Sequence, residues 1–165
     1  MSAEREGRLT VEEVRAHVEG LGGVLTLAPG PGDGTPEIAW GDLFFYVAPD
    51  GLLPTGQPFA TVVTKDYPGE PSSGLDRPGA FRVNVGASRD EVTRTTAGAE
   101  SPDPTTVDVL QAHPTYAAQG WLCVVDPGPR TTQALLGLLR SAHARARVRW
   151  QRRQDAAPRP DEEPP

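Results

Sequence analysis

The chain is predicted to fold as an α+β domain, a two-layer sandwich whose mainly antiparallel sheet is covered by helices on one face. Three observations predict it. Short β-rich runs recur with hairpin-scale links, two Ser/Thr-x-x-Glu capping boxes open helices, and a final strand turns through Asp-Pro-Gly-Pro into a terminal helix. A chain of 165 residues suits one domain and leaves no room for two full cores. That domain is expected over residues 9–150, with disordered tails at 1–8 and at 151–165, where large apolar residues run out.

Thr10-Val11-Glu12-Glu13 reads as a capping box, the Thr10 hydroxyl accepting from the third helical amide while Glu13 returns the bond. Val11, Val14, Val18 and Leu21 then recur at helical spacing, and Gly22-Gly23 closes the helix. Residues 24–27 (VLTL) read as a short strand, and 28–36 (APGPGDGTP) as a stiff loop. EIAW at 37–40 and LFFYV at 43–47 read as a hairpin across Gly41-Asp42, a dipeptide suited to a type II′ turn. Pro49-Asp50-Gly51 ends the second of these strands, and the β-branched run FATVVT at 59–64 is the next. Residues 65–80 form a long connection rich in Pro, Gly and charge.

FRVNV at 81–85 alternates, with Phe81, Val83 and Val85 on one face and Arg82 and Asn84 on the other, so one face of the sheet is partly polar. Ser88-Arg89-Asp90-Glu91 repeats the capping box and starts a helix that stops by Gly98. A helical turn is expected near residues 105–111, a strand at 121–125 (WLCVV), and a helix at 131–150. Leu135, Leu138, Ala142 and Ala146 mark the buried stripe of that last helix, and Arg145 and Arg149 share another side.

Cys123 is the only cysteine, which excludes an intramolecular disulfide and a thiolate-rich metal site. His17, His113 and His143 are far apart with no ligand spacing, so no metal is expected. The first residues lack an apolar h-region and no run is long enough to span a membrane, which points to a cytoplasmic protein without membrane contact. The formal charge of −6 hides a segregation: residues 131–153 hold six arginines and no acid. A basic helix can seek phosphates, but the acidic remainder would repel a polyanion, which argues against nucleic acid.

Motifs with strong chemical signatures are missing. Gly30-Pro31-Gly32-Asp33-Gly34 has the glycines of a phosphate cradle, but its prolines remove amide donors and Asp33 adds repulsion, so no nucleotide cofactor is expected. Cys123 lies within an apolar strand, where a thiol is a small buried hydrophobe rather than a nucleophile. Ser72-Ser73-Gly74 is not a nucleophile elbow. What remains is polar clustering at strand ends. If the strands at 59–64 and 81–85 pair, Lys65, Asp66 and Tyr67 share a rim with Asp76 and Arg77, either as a site or as an ion network pinning the loop. His113, Tyr116 and Trp121 form a second group in the approach to the last strand, where His113 either secures a backbone turn or serves a ligand.

The segments PEIAWGDLFFYVAPDG (36–51), QPFATVVTKDYPGE (57–70), LDRPGAFRVNVG (75–86) and HPTYAAQGWLCVVDPGPRT (113–131) resemble an uncharacterised bacterial family known as a domain of unknown function. More distantly, the opening helix, the central sheet and the HPxY turn before a Trp-containing strand are similar to the MmcQ/YjbR-like proteins. That likeness implies a CyaY-like fold, an antiparallel sheet with flanking helices, and for some members DNA binding. Neither resemblance supplies catalytic residues.

The expected function is a non-catalytic module that binds a small polar or anionic ligand, or a protein partner. Its candidate ligand residues are Lys65, Asp66, Tyr67, Asp76, Arg77, Asn84, His113, Tyr116 and Trp121. The alternatives are an enzyme using His113, Lys65, Asp66 and Tyr67 in acid–base work, and a nucleic-acid binder using the Arg-rich helix.

Overall fold

Both capping boxes form and set the first two helices. In the computed structural model, which describes residues 7–99 and 101–157, Glu13 N–H donates to the Thr10 hydroxyl at 3.1 Å and Thr10 N–H donates to the Glu13 carboxylate at 3.2 Å. Helix α1 follows as Val11–Glu19. The same reciprocal pair between Ser88 and Glu91 opens α2, Arg89–Thr96. Helix α3, Thr132–Ala156, is capped differently. Its N-cap residue, Thr131, makes no side-chain cap bond to the next turn. Instead the Asp108 carboxylate reaches over and accepts the N–H groups of Gly128, Arg130 and Thr131 at 2.8, 3.1 and 3.1 Å. An anion thus sits at the positive end of the helix dipole, delivered by a distant segment.

Six strands make one antiparallel sheet in the order β1-β2-β3-β4-β6-β5. They are β1 Val24–Leu27, β2 Leu43–Val47, β3 Ala60–Val63, β4 Arg82–Gly86, β5 Gln111–Ala112 and β6 Trp121–Val125. With three helices this is the predicted α+β arrangement. Helices α1 and α3 pack their apolar stripes, Val14 and Val18 with Leu135, Leu139 and Ala142, onto Phe45, Val62, Val83, Val85, Leu122 and Val124. Each large side chain fully buried there contributes about 1.5–3 kcal/mol relative to exposure. Among the described residues no helix is long and apolar enough to cross a membrane.

Three expectations are corrected. Residues 37–40 are not a strand: Glu37–Ala39 form a 3-10 turn, and β2 pairs with β1 through the long 28–42 connection, not with a neighbour across Gly41-Asp42. Asp33 organises that connection by accepting the N–H groups of Gly30 and Thr35, and Asp42, which a hairpin turn would expose, is fully buried. Residues 105–111 are not helical; Val107 bridges to Val125 and Asp108 takes a positive φ of 56°, which aims its carboxylate at α3. Finally, α3 continues six residues beyond the expected end at Trp150. Gln and Arg there are good helix formers whatever their hydropathy, and Gln151 bonds Asp155 one turn on at 3.1 Å. Residues 158–165 of the expected C-terminal tail and residues 1–6 lie outside the described residues. Arg8, expected in the N-terminal tail, ion-pairs with Asp126 at 2.7 Å.

Candidate functional site

Strand alternation sends every second side chain away from the helices. On that face β2 presents Phe44 and Tyr46, β3 Thr61 and Val63, β4 Arg82 and Asn84, and β6 Trp121 and Cys123. Among the described residues α1 and α3 pack on the other face, while the 64–81 connection closes over one end of this one and residues 113–120 approach from β5. Between them lies a pocket of about 520 Å³, floored by Thr61, Arg82 and Asn84 and walled by aromatic side chains.

Arg82 is the charged centre of this floor and is only 4% exposed. Its Nε donates to Asn84 Oδ1 at 2.8 Å and one terminal nitrogen to the Ser73 hydroxyl at 2.8 Å. Asn84 in turn donates to Thr61 Oγ1 at 3.0 Å across the β3–β4 pair, so two neighbouring strands orient the guanidinium. Its nearest carboxylate, Glu70, forms a loose ion pair 3.8 Å from the other terminal nitrogen, too long for a hydrogen bond. The guanidinium therefore keeps N–H groups to spare.

His113 is equally buried and lines the same pocket. Its Nδ1 accepts the backbone N–H groups of Thr115 and Tyr116, both at 3.0 Å, which leaves the proton of the neutral ring on Nε2. Burial, reinforced by the Arg82 charge, pulls its pKa down to about 4, so the ring is neutral at physiological pH. Tyr116 packs against it with ring centres 5.0 Å apart. Gly120, at φ 86° and with Ala87 O 3.1 Å from where a Cβ would sit, lets the chain turn back from this loop into Trp121.

Of the residues singled out in the sequence, Tyr67, Asn84, His113, Tyr116 and Trp121 line this pocket. Lys65, Asp66, Asp76 and Arg77 do not; three of them fasten the 64–81 connection instead. Lys65 donates to Asp42 at 3.0 Å and to Trp40 O at 2.8 Å, and the Tyr67 hydroxyl donates to the other Asp42 oxygen. Burial and the Asp42 carboxylate push the Tyr67 phenol above its usual range. The Asp66 carboxylate accepts from Ser72 Oγ and from the Ser73 and Leu75 amides; burial opposes its charge, but these donors prevail and hold its pKa low. Arg77 reaches Asp126 at 3.1 Å, and Asp76 is exposed. β3 and β4 do bring both clusters to one rim, but Lys65 and Arg77 bind different acids there.

Sequence reasoning missed Arg82, Thr61 and Glu70 as pocket residues. Alternation already turned Arg82 to the polar face; the loop cover that buries it depends on contacts far along the chain. Cys123 is buried, which pushes its thiol up to about 11 despite Arg82 nearby, as suits an inert hydrophobe. Among the described residues no group of His, Cys, Asp and Glu is placed to hold a metal ion.

The arrangement offers spare N–H donors from one buried cation, loosely paired with the Glu70 carboxylate in the same lining, and the Nε2–H of a neutral imidazole, ringed by aromatic walls. It can receive an oxyanion and hold an apolar body. No curated protein and no solved structure matches the chain. A family match covers residues 9–155, nearly the whole described chain, and the protein belongs to DUF6194, a family of unknown function.

Proposed function

We propose that the protein is a non-catalytic module that binds a small organic carboxylate with an aryl or other apolar body in the pocket over Arg82. The observation that carries this reading is a guanidinium 4% exposed whose closest acid stays 3.8 Å away. Burying a charge without tight compensation costs several kcal/mol, and a carboxylate docking bidentately on the spare N–H groups would offset that cost. Asn84 and Ser73 hold the guanidinium in place, so little order is lost on binding. Phe44, Tyr46, Tyr116 and Trp121 supply the surface for the apolar body. The free, buried thiol of Cys123 agrees with a cytoplasmic setting.

Acid–base catalysis has less support. Lys65 and Asp66 are taken up by the loop, His113 is fixed neutral by two backbone donors, and the Tyr67 proton is held by Asp42.

Thermal shift with a panel of aryl and alkyl monocarboxylates, each beside its uncharged amide, tests the reading. A carboxylate such as para-hydroxyphenylacetate should raise Tm while para-hydroxyphenylacetamide does not, by about 2.7 kcal/mol of stabilisation at a hundredfold excess over Kd. Arg82→Gln should abolish the difference and Arg82→Lys should retain part of it. A panel in which amides stabilise as well as acids, or in which nothing stabilises, rejects the proposal.

A further inference from the structure

The pocket wall formed by Gln57, Pro58 and Trp121 has a second side. The same three residues line an adjoining groove of about 310 Å³ that passes Arg145 and Arg149 on α3. A further depression of about 210 Å³ continues from Arg149 to Arg153, again with Gln57 in its wall. Gln57 thus stands where all three meet, at the strand ends where β3 begins and β4 finishes.

The groove differs in charge from the rest of the protein. Neither of its two parts has an Asp or Glu in its lining, although the chain carries a formal charge of −6. Arg145 is anchored beside it, one nitrogen 2.9 Å from the Glu91 carboxylate and another donating to Gly86 O at 2.9 Å. Arg149 and Arg153 lie one and two turns further on, and among the described residues neither has an acidic partner within ion-pair distance. Partial burial and the fields of Arg145 and Arg153 hold the Arg149 guanidinium below the usual arginine range, the sign of like charges crowded together. Like charges one turn apart destabilise a helix, and an anion between them reverses the sign of that interaction.

We infer that this groove receives the phosphate group of an elongated small-molecule ligand whose carboxylate-bearing apolar head occupies the pocket over Arg82. The inference rests on the carboxylate reading of that pocket. A single phosphate matches the site better than a nucleic-acid backbone. The guanidiniums border depressions of a few hundred Å³ that share a wall with the pocket, and outside residues 131–153 the chain is predominantly acidic, which opposes a long polyanion. Gln57 and Gln119 add neutral side-chain donors at the groove wall, and the Trp121 ring gives an apolar linker a surface to cross.

Isothermal titration of the full chain separates this inference from the reading on which it depends. The probes are para-hydroxyphenylacetate, its phosphate ester, and esters in which a short alkyl ether carries the phosphate further from the ring. At the fitting length the phosphate should tighten binding about tenfold over the head alone, as charge-assisted hydrogen bonds to an arginine do. Arg149→Gln, a change at an exposed position, should erase that gain and leave the affinity of the head unchanged. A head that binds with no gain from phosphate at any length, or a gain that survives both Arg149→Gln and Arg145→Gln, overturns the groove assignment alone. Heads that fail to bind overturn the pocket reading and the elongated ligand with it. A short DNA duplex retained at physiological salt, displacing the phosphate ester and weakened by Arg149→Gln, overturns it in favour of a polyanion.

Discussion

Acidification should destabilise the protein through His113 before its carboxylates titrate. The ring is 4% exposed, accepts two backbone N–H groups at Nδ1 and lies within the field of Arg82, so protonation would place a second cation in a buried site and break both bonds. Its pKa of about 4 lies below the ordinary 6.5, so the unfolded chain binds the proton more readily. Stability from this group is therefore fully present above the unfolded value and is lost as pH falls towards the folded one. Between about pH 7 and about pH 5 the loss from this one group is about 2 kcal/mol. Asp66, Glu91 and Asp108, whose pKa values are depressed, keep their contributions until lower pH, which leaves this window to histidine. His17, lowered by burial and Arg140, adds to the same window, so a His113 variant has to supply the difference. Urea unfolding of wild type and His113→Asn at the two pH values makes the comparison, since Asn Oδ1 can still accept from Thr115 and Tyr116 but does not titrate. The wild type should lose about 2 kcal/mol more than the variant on acidification. Equal losses would refute the claim that a buried neutral imidazole supports this fold.

Two further outcomes follow from buried groups in and just after β6. Asp126, only 2% exposed, accepts Phe81 N–H at 3.0 Å and pairs with Arg8 and Arg77; Asp126→Asn keeps the shape but loses the charge, and calorimetry should show about 1–2 kcal/mol less stability, a fall in Tm of roughly 3–6 °C. An unchanged Tm would mean that the two exposed guanidiniums contribute nothing. Cys123 should resist iodoacetamide in native buffer and react only in denaturant, as followed by intact mass; prompt labelling of the folded protein would contradict its burial and its raised pKa.

Features encoded within a few residues were legible in the sequence. The Thr10 and Ser88 caps each need only a carboxylate three positions on, and the alternation of FRVNV is complete within five residues. Features that depend on sequence distance were not. Gly41-Asp42 has the composition of a turn, but Asp42 is bound by Thr64, Lys65 and Tyr67, more than twenty residues away, and those bonds decide its place. A two-residue strand such as Gln111–Ala112 has no periodicity to detect. The same division runs through the candidate site. His113, Tyr116 and Trp121 stand out because one short loop carries them together, whereas Arg82 becomes a site residue only once Ser73 and Glu70 arrive from the overlying connection.

The floor of the pocket and the core under it are built from interleaved positions of the same strands: Arg82 and Asn84 look one way, Val83 and Val85 the other. Odd and even positions thus answer to different demands. Replacements at 44, 46, 61 or 84 can retune what the bowl admits while the packing beneath the helices stays as it was. A slip of one residue between β3 and β4 would exchange the two sets, sending a guanidinium among the valines, so the interior that favours the correct pairing also guards the specificity of the surface above it.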